Sequence, residues 1–297
     1  MYLENDTLAR IGSSCLQSLI ESNAEKISDE RWETLTSVFT TLFQNTLASE
    51  LFNESLRQDL DSAEQTPADP SQSGFVLPLP LTSTTIEEGT VLRSNERRTL
   101  FKQIITKCVL QLLLIDAVRE LLFNDKVYLA IPPQQLLRFV HLLDESYRFA
   151  NAFNNNQDLR MGLWKVGFMK QLPNLLKQES SSASTLITLL IKMYKDTRKQ
   201  HVDRREDISE ALIPFGLSVI DGFNELDFET KHRNIAAWTP VVAEIISGVC
   251  FFEDEDFEKY LSTVYKPITD ILTKDMGSEV RESLCKFFTR VGKMKVN

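Results

Sequence analysis

The sequence predicts an all-α fold, an α-solenoid of degenerate HEAT- or armadillo-like helix pairs, and three observations carry that expectation. Glycine is scarce, ten residues in 297, and hairpin-turn dipeptides are nearly absent; the one Asp221-Gly222 falls inside a helical-looking segment. The strong helix formers Leu, Lys, Glu, Gln and Ala are heavily used. Apolar residues recur at three- and four-residue spacing in segment after segment from Ser94 onward. About eight to twelve helices of about 15 to 25 residues, joined by short loops, suit stacked antiparallel pairs of about 40 to 47 residues each. No strict sequence period is visible, which excludes a consensus repeat array. A globular helical bundle is the alternative architecture.

Residues 1–60 read as two or three N-terminal helices of the same module. Ser28 and Asp29 are N-cap candidates, and Trp32, Leu35, Phe39, Leu42, Phe43 and Thr46 follow at helical spacing. Residues 61–93 break the pattern. Pro67, Pro70, Gly74, Pro78 and Pro80, mixed with Ser, Thr, Gln and Asp, forbid a regular helix. A Pro/Ser-rich, partly disordered linker is expected there, with Phe75, Val76, Leu77, Leu79 and Leu81 as an apolar knot able to dock on the helical body.

The main helical-repeat body, 94–297, opens with a helix over about 95–123, whose core candidates are Leu100, Ile104, Ile105, Leu112, Ile115, Val118 and Leu122. Pro132-Pro133 suits the first turn of a second helix reaching about Phe153. Further helices are expected near 157–177, 182–199, 206–224, 229–251, 254–272 and 278–292. Pro173, Pro214, Pro240 and Pro267 should each end or kink the helix they fall in.

Net charge is −9, which gives no electrostatic basis for non-specific nucleic-acid binding. The opening Met1–Asp6 has neither a basic n-region nor an apolar run, so no signal peptide is expected. The apolar stretch Cys108–Ile115 is far short of the roughly 20 residues a membrane span needs. Cys15, Cys108, Cys250 and Cys285 are isolated in apolar contexts and read as small buried hydrophobes in a reducing compartment. The sequons at Asn5 and Asn53 are discounted for the same reason.

Catalytic motifs are missing. There is no phosphate loop, dinucleotide fingerprint, zinc-protease pair or nucleophile elbow. His141, His201 and His232 have no partner at ligand spacing, so no cofactor or metal is expected. The acidic run Glu253–Asp256, with Glu258, lacks the alternation and central glycine of a calcium loop and suits the dipole at a helix start. Lys192, Lys195, Arg198, Lys199, Arg204 and Arg205 form a basic stretch, diluted by Asp196, Asp203, Glu206 and Asp207, that could face anionic lipid or an acidic partner. Lys286, Arg290, Lys293 and Lys295 suit the last turn of a final helix.

One pattern goes beyond composition. The run from Leu142 through Tyr147-Arg148-Phe149-Ala150-Asn151-Ala152-Phe153-Asn154 is followed by Leu159-Arg160-Met161-Gly162-Leu163-Trp164-Lys165-Val166-Gly167-Phe168-Met169, then by Pro173-Asn174-Leu175-Leu176-Lys177-Gln178-Glu179. As bare residues, Leu142, Ser146, Phe149 and Phe153 form one buried helical stripe. Leu163, Val166 and Met169, with Trp164 and Phe168, give the next helix two apolar faces. Together the runs resemble the last conserved region downstream of the Sec-seven domain in the large brefeldin-A-inhibited Arf exchange factors. Asn5–Gly12 resembles the entry to that region, and Glu279–Gly292 resembles its end.

The resemblance implies a regulatory, non-catalytic C-terminal module of a guanine-nucleotide exchange factor, cytoplasmic and peripheral on trans-Golgi network membranes. Nothing in the chain resembles the Sec-seven domain that performs exchange. The implied partners are a second copy, with homodimerisation leading, or a small GTPase of the Arf, Rab or Arl type. A related scaffold family without the catalytic domain is an alternative parent. For a dimer surface the exposed-aromatic candidates are Trp164, Phe168, Phe287 and Phe288; for a GTPase or membrane surface, the basic stretch 192–205.

Overall fold

A computed structural model describes residues 2–57 and 94–296. Their elements are α1 (Tyr2–Asn23), α2 (Asp29–Thr46), α3 (Ser94–Phe123), α4 (Asp125–Ala130), α5 (Pro133–Asn155), α6 (Gln157–Lys165), α7 (Leu176–Lys195), α8 (Lys199–Val202), α9 (Arg205–Asn224), α10 (His232–Val249), α11 (Asp254–Asp270) and α12 (Ser278–Val296). Short 3-10 turns at Ala24–Lys26, Ser49–Phe52, Glu54–Leu56 and Ile271–Thr273 complete them, with no strand among the described residues. The expected linker 61–93, with its Phe75–Leu81 knot, lies outside the described residues.

The helices stack as a solenoid. One row runs α1, α3, α7, α10 and α12, each packed on the next. The second row holds α2, α5, α9 and α11; α2 packs on α5, α9 on α11, and Tyr147 on α5 meets Phe215 on α9 edge to face at 4.9 Å. Contacts of α2 with α3, α5 with α7, and α9 with both α7 and α10 tie the rows together. The central helix α7 touches members of both rows, and its sequence explains why. Ala183, Leu186, Ile187, Leu189, Leu190, Ile191, Met193 and Tyr194 are all buried, so it is apolar around most of its circumference.

The main core extends from Ile20 and Trp32 at one end to Phe287 and Val291 at the other. A second, smaller core sits under the α5–α6 corner, where Ala48, Leu51 and Leu56 meet Phe101, Ile104, Phe153, Leu159 and Leu163. A polar thread crosses the main core. Thr46 Oγ1 donates to Gln111 Oε1; Gln111 Nε2 donates to Ser146 Oγ at 3.1 Å; Ser182 Oγ donates to the same Ser146 hydroxyl at 3.0 Å, and Gln178 Nε2 reaches it at 3.2 Å. Each member is buried and partnered, so α2, α3, α5 and α7 are held in register by directional bonds as well as by packing.

Several boundaries differ from expectation, each for a local reason. The helix expected over 157–177 stops at Lys165, because Gly167 takes a left-handed φ of 78°. Phe168 N then donates to Leu163 O and Gly167 N to Trp164 O, the paired bonds of a Schellman turn. Helix α7 consequently begins at Leu176 rather than 182. Pro214, Pro240 and Pro267 end no helix; each lies inside α9, α10 or α11. Pro214 and Pro240 are exposed, where a carbonyl deprived of its partner can be hydrated. The short α4 and α8 were not anticipated. Cys15 and Cys285 are exposed, and Cys108 and Cys250 only half-buried, so the expectation of buried cysteines fails. Isolation in an apolar sequence does not fix which face of a helix a residue occupies.

Candidate functional site

The residues of the recognised pattern converge on the corner between α5, α6 and α7. Asn156 caps α6, its side chain accepting from Leu159 N at 2.9 Å. Arg160 reaches back, donating from Nε to Pro173 O at 2.7 Å and from Nη1 to Asn154 O at 2.8 Å, so the α6–α7 connection is pinned to the end of α5. Asn154 Oδ1 accepts from Leu175 N at 2.7 Å, while its Nδ2 donates to Glu179 at 2.6 Å. Asn151 donates to the other Glu179 oxygen at 2.8 Å. Burial pushes the Glu179 carboxyl above its ordinary range against the pull of these two amides.

Beside this corner lies a cleft of about 900 Å³ among the ends of α5, α7, α9 and α10, bordered by Tyr147, Asn154, Arg160, Glu179, Asp221 and Trp238. Its inner polar walls are already used: Glu179 by the two asparagines, and Arg160 by two carbonyls. A second cleft of about 880 Å³ between α10, α11 and α12 includes Cys250, Phe251, Asp254, Cys285, Lys286 and Lys293. Arg290 crosses its floor, donating to Cys250 O and Phe252 O and meeting Asp254 at 3.1 Å. No group of three His, Cys, Asp or Glu side chains among the described residues could hold a metal, and no described helix is long and apolar enough to cross a membrane.

The four aromatic candidates divide. Phe287 is fully buried against Phe257 and Phe288 in the core, so it offers nothing to a partner. Phe288 is half-buried beside Tyr265, and Phe168 is half-buried edge-on to Phe101 at 4.8 Å. Only Trp164 is exposed, at 45%, with Met169 at 44% across the Schellman turn.

The basic stretch is largely consumed by the fold. Lys192 pairs with Asp125 at 2.9 Å and sits over the Tyr128 ring. Arg198 clamps Asp196 through two nitrogens and donates to Leu129 O, joining α4 to the α7–α8 connection. Lys195 lies over Phe251, and Arg205 pairs with Glu253 at 2.9 Å beside Tyr194. Lys199 and Arg204 make no ion pair among the described residues. The acidic run begins α11 as expected from the helix dipole, and it also receives Arg205, Arg290 and the Tyr194 hydroxyl.

Sequence reasoning missed one surface. On α1, Leu8 (66% exposed), Ile11 (54%), the exposed Cys15 and Leu19 (62%) form a stripe separate from the inward set of Ala9, Ser13, Leu16 and Ile20. The spacing i, i+3, i+7, i+11 was readable; that a second, offset stripe already supplies the buried face was not.

The model of the BIG2 C-terminal domain family matches residues 109–289. Among relatives, the chain is 35% identical over 99% of its length to the ADP-ribosylation factor guanine nucleotide-exchange factor sec72 of Schizosaccharomyces pombe, covering 16% of that protein. It is 30% identical over 98% of its length to the exchange factor SEC7 of Saccharomyces cerevisiae, covering 18%. It is 28% identical over 97% of its length to the mouse brefeldin A-inhibited guanine nucleotide-exchange protein 1, again covering 18%. The chain thus spans less than a fifth of the length of the curated relatives it matches. No solved structure matches it. The matched residues include the whole Asn154–Glu179 corner and the helices that carry it, and on that ground the chain belongs to the BIG2 C-terminal domain family.

Proposed function

We propose that this chain is a non-catalytic scaffold module at the C-terminal end of an Arf guanine-nucleotide exchange factor of the trans-Golgi network, and that its leading mode of action is association between two copies. The relatives' names describe nucleotide exchange on ADP-ribosylation factors; in this reading, exchange resides in a part of the protein that these residues do not include. The observation that carries the reading is Trp164. It is an exposed indole on a corner fixed by a Schellman turn and by the Arg160 and Asn154 bonds. A rigid exposed Trp beside a flexible Met is the kind of anchor that dominates protein–protein interfaces.

The test is the solution mass by light scattering after size exclusion, across dilution and in low and high salt. The expected result is a mass near twice 34.0 kDa that resists salt and falls to the single-chain value in Trp164→Ala. A single-chain mass at every concentration would overturn the dimer.

The competing reading places a small GTPase or an anionic membrane on residues 192–205. It has less support, since Lys192, Lys195, Arg198 and Arg205 already hold helices together, leaving Lys199 and Arg204. Such binding would be stripped by salt.

A further inference from the structure

We infer that the apolar run Phe75–Leu81 of this same chain docks in cis on the exposed Trp164–Met169 face at the end of α6, brought there by the two points at which the segment 58–93 joins the helical body. Both points lie beside that face. Arg57, the last described residue before the segment, rests on α6: a Cβ built at Gly162 would stand 3.1 Å from Arg57 Cδ. Trp164 follows about half a turn farther along the same helix. After the segment, α3 opens at Ser94, and about two turns on, about 10 Å, Phe101 meets Phe168 edge to face at 4.8 Å. Phe168 belongs to the Schellman turn that separates Trp164 from Met169. The smaller core holds these pieces together, since Leu56, Phe101 and Leu163 are all buried in it. An exposed indole, 45% open, and an exposed thioether, 44% open, therefore stand next to both ends of the segment.

Reach, chemistry and charge select the occupant. About 17 residues separate Arg57 from Phe75 and about 12 separate Leu81 from Ser94, so each arm reaches about 20 Å as a flexible chain, enough to seat the run on Trp164. A tether of that length gives an effective concentration of about millimolar, which a separate molecule has to match to compete. Pro78 and Pro80 alternate with Leu77, Leu79 and Leu81, so the run forms no helix of its own and loses little chain entropy on binding. Proline-spaced apolar residues are what aromatic faces take in other peptide-binding modules. On the body, Lys165 and Lys170 flank the face, both exposed and neither in an ion pair among the described residues. The segment brings the opposite sign on both sides of the run: Asp59, Asp61, Glu64, Asp69, Glu87 and Glu88 against Arg93 alone. A second copy reaching for Trp164 has to displace this occupant; that consequence rests on the association proposed above, while the docking itself does not.

Tryptophan fluorescence tests it. Of the three tryptophans, Trp32 is 2% and Trp238 8% exposed, so the Trp164 signal is isolated by subtracting the Trp164→Phe counterpart of each chain. Acrylamide quenching of that signal is compared between the wild-type chain and the triple variant Phe75→Ser, Leu77→Ser, Leu79→Ser, at dilutions where light scattering gives the single-chain mass. The substitutions lie outside the helical body, and circular dichroism checks that its helix content is unchanged. The expected result is a Trp164 quenched at least about threefold less in the wild type than in the variant. Protection at the single-chain mass supports the docking even where no dimer forms at any concentration, so the two proposals fail separately. A Trp164 freely quenched in the wild type overturns the inference, whatever the variant does. Equal protection in both chains also overturns it, because the cover is then not this run. So does protection that fades on dilution, which would assign the face to a second copy.

Discussion

Asn154 donates from Nδ2 to Glu179 across 2.6 Å while its own Oδ1 accepts the Leu175 amide at 2.7 Å, so the asparagine cannot turn over without breaking one bond or the other. Its orientation is fixed by the backbone amide of Leu175, just ahead of α7, and Glu179 must present an acceptor to it. Asn154→Asp keeps the shape and the Leu175 bond but replaces the donor with a second carboxylate. Two neighbouring carboxylates ionise only at a cost, and protonating one restores a bond. The expected outcome is a loss of about 2 to 4 kcal/mol at neutral pH, from a broken charge-assisted bond plus repulsion. The loss should shrink as pH falls toward 5. Chemical denaturation of both chains at the two pH values checks it.

The aromatic candidates give a second prediction. Phe287→Ala opens a cavity in a packed core and should cost about 3 to 5 kcal/mol of stability. Trp164→Ala should cost less than about 1 kcal/mol, because half of the indole already faces water. Thermal unfolding of the two variants separates the structural aromatic from the surface one, whatever the mass measurements return.

A third prediction concerns acid. Burial opposes ionisation of Asp196, but the Arg198 hydrogen bonds overcome it and hold the carboxyl down at about 2. A depressed acid adds stability that is present above its unfolded value near 4 and is lost as pH falls toward 2. His201 is fully buried, accepts from Arg198 at 3.2 Å and is held below its ordinary value, first by burial. It resists protonation in the fold more than in the unfolded chain, so stability also declines as pH drops below about 6.5, where the unfolded imidazole gains its proton. Stability against pH should therefore show two declines. His201→Gln should flatten the upper one, and Asp196→Asn the lower one, at a cost of about 1 to 3 kcal/mol at neutral pH.

Much of this was legible in the sequence, and the failures have physical causes. The helical class, the starts of α3, α5, α11 and α12, and the core positions Ile104, Ile115, Val118 and Leu122 followed from periodicity, caps and proline placement. The stop at Gly167 was missed because Val166, Phe168 and Met169 continue the apolar pattern through a turn, and only the backbone reveals the left-handed φ. Phe287 and Trp164 look alike in sequence; neighbours distant in the chain, Phe257 among them, decide which is buried. The basic stretch looked like a surface because its counter-charges Asp125 and Glu253 lie more than forty residues away. Asn154, Arg160 and Glu179 were in view as a pattern, but their mutual bonding needed the α5–α6–α7 corner.

A close approach between α7 and α10 yields the last prediction. A Cβ added at Gly248 on α10 would stand 2.3 Å from Ile191 Cδ1 and 2.8 Å from Ile191 Cγ1 on α7. On propensity alone, Gly248→Ala should stabilise a helix interior by about 1 kcal/mol. The clash outweighs that gain, because Ile191 sits in the packed core and cannot move without displacing neighbours. The expected net effect is a loss of about 1 to 3 kcal/mol. Ile191→Ala alone should cost about 2 to 4 kcal/mol through the cavity it leaves. In the double variant the new methyl enters space the isoleucine vacated, so the two losses should not add; the double should lie at least about 1 kcal/mol above their sum. Denaturant midpoints for the four chains give that coupling directly. Additive losses would mean that α10 shifts away from α7 to accept the alanine, and that the seam between these helices is not the rigid contact described here.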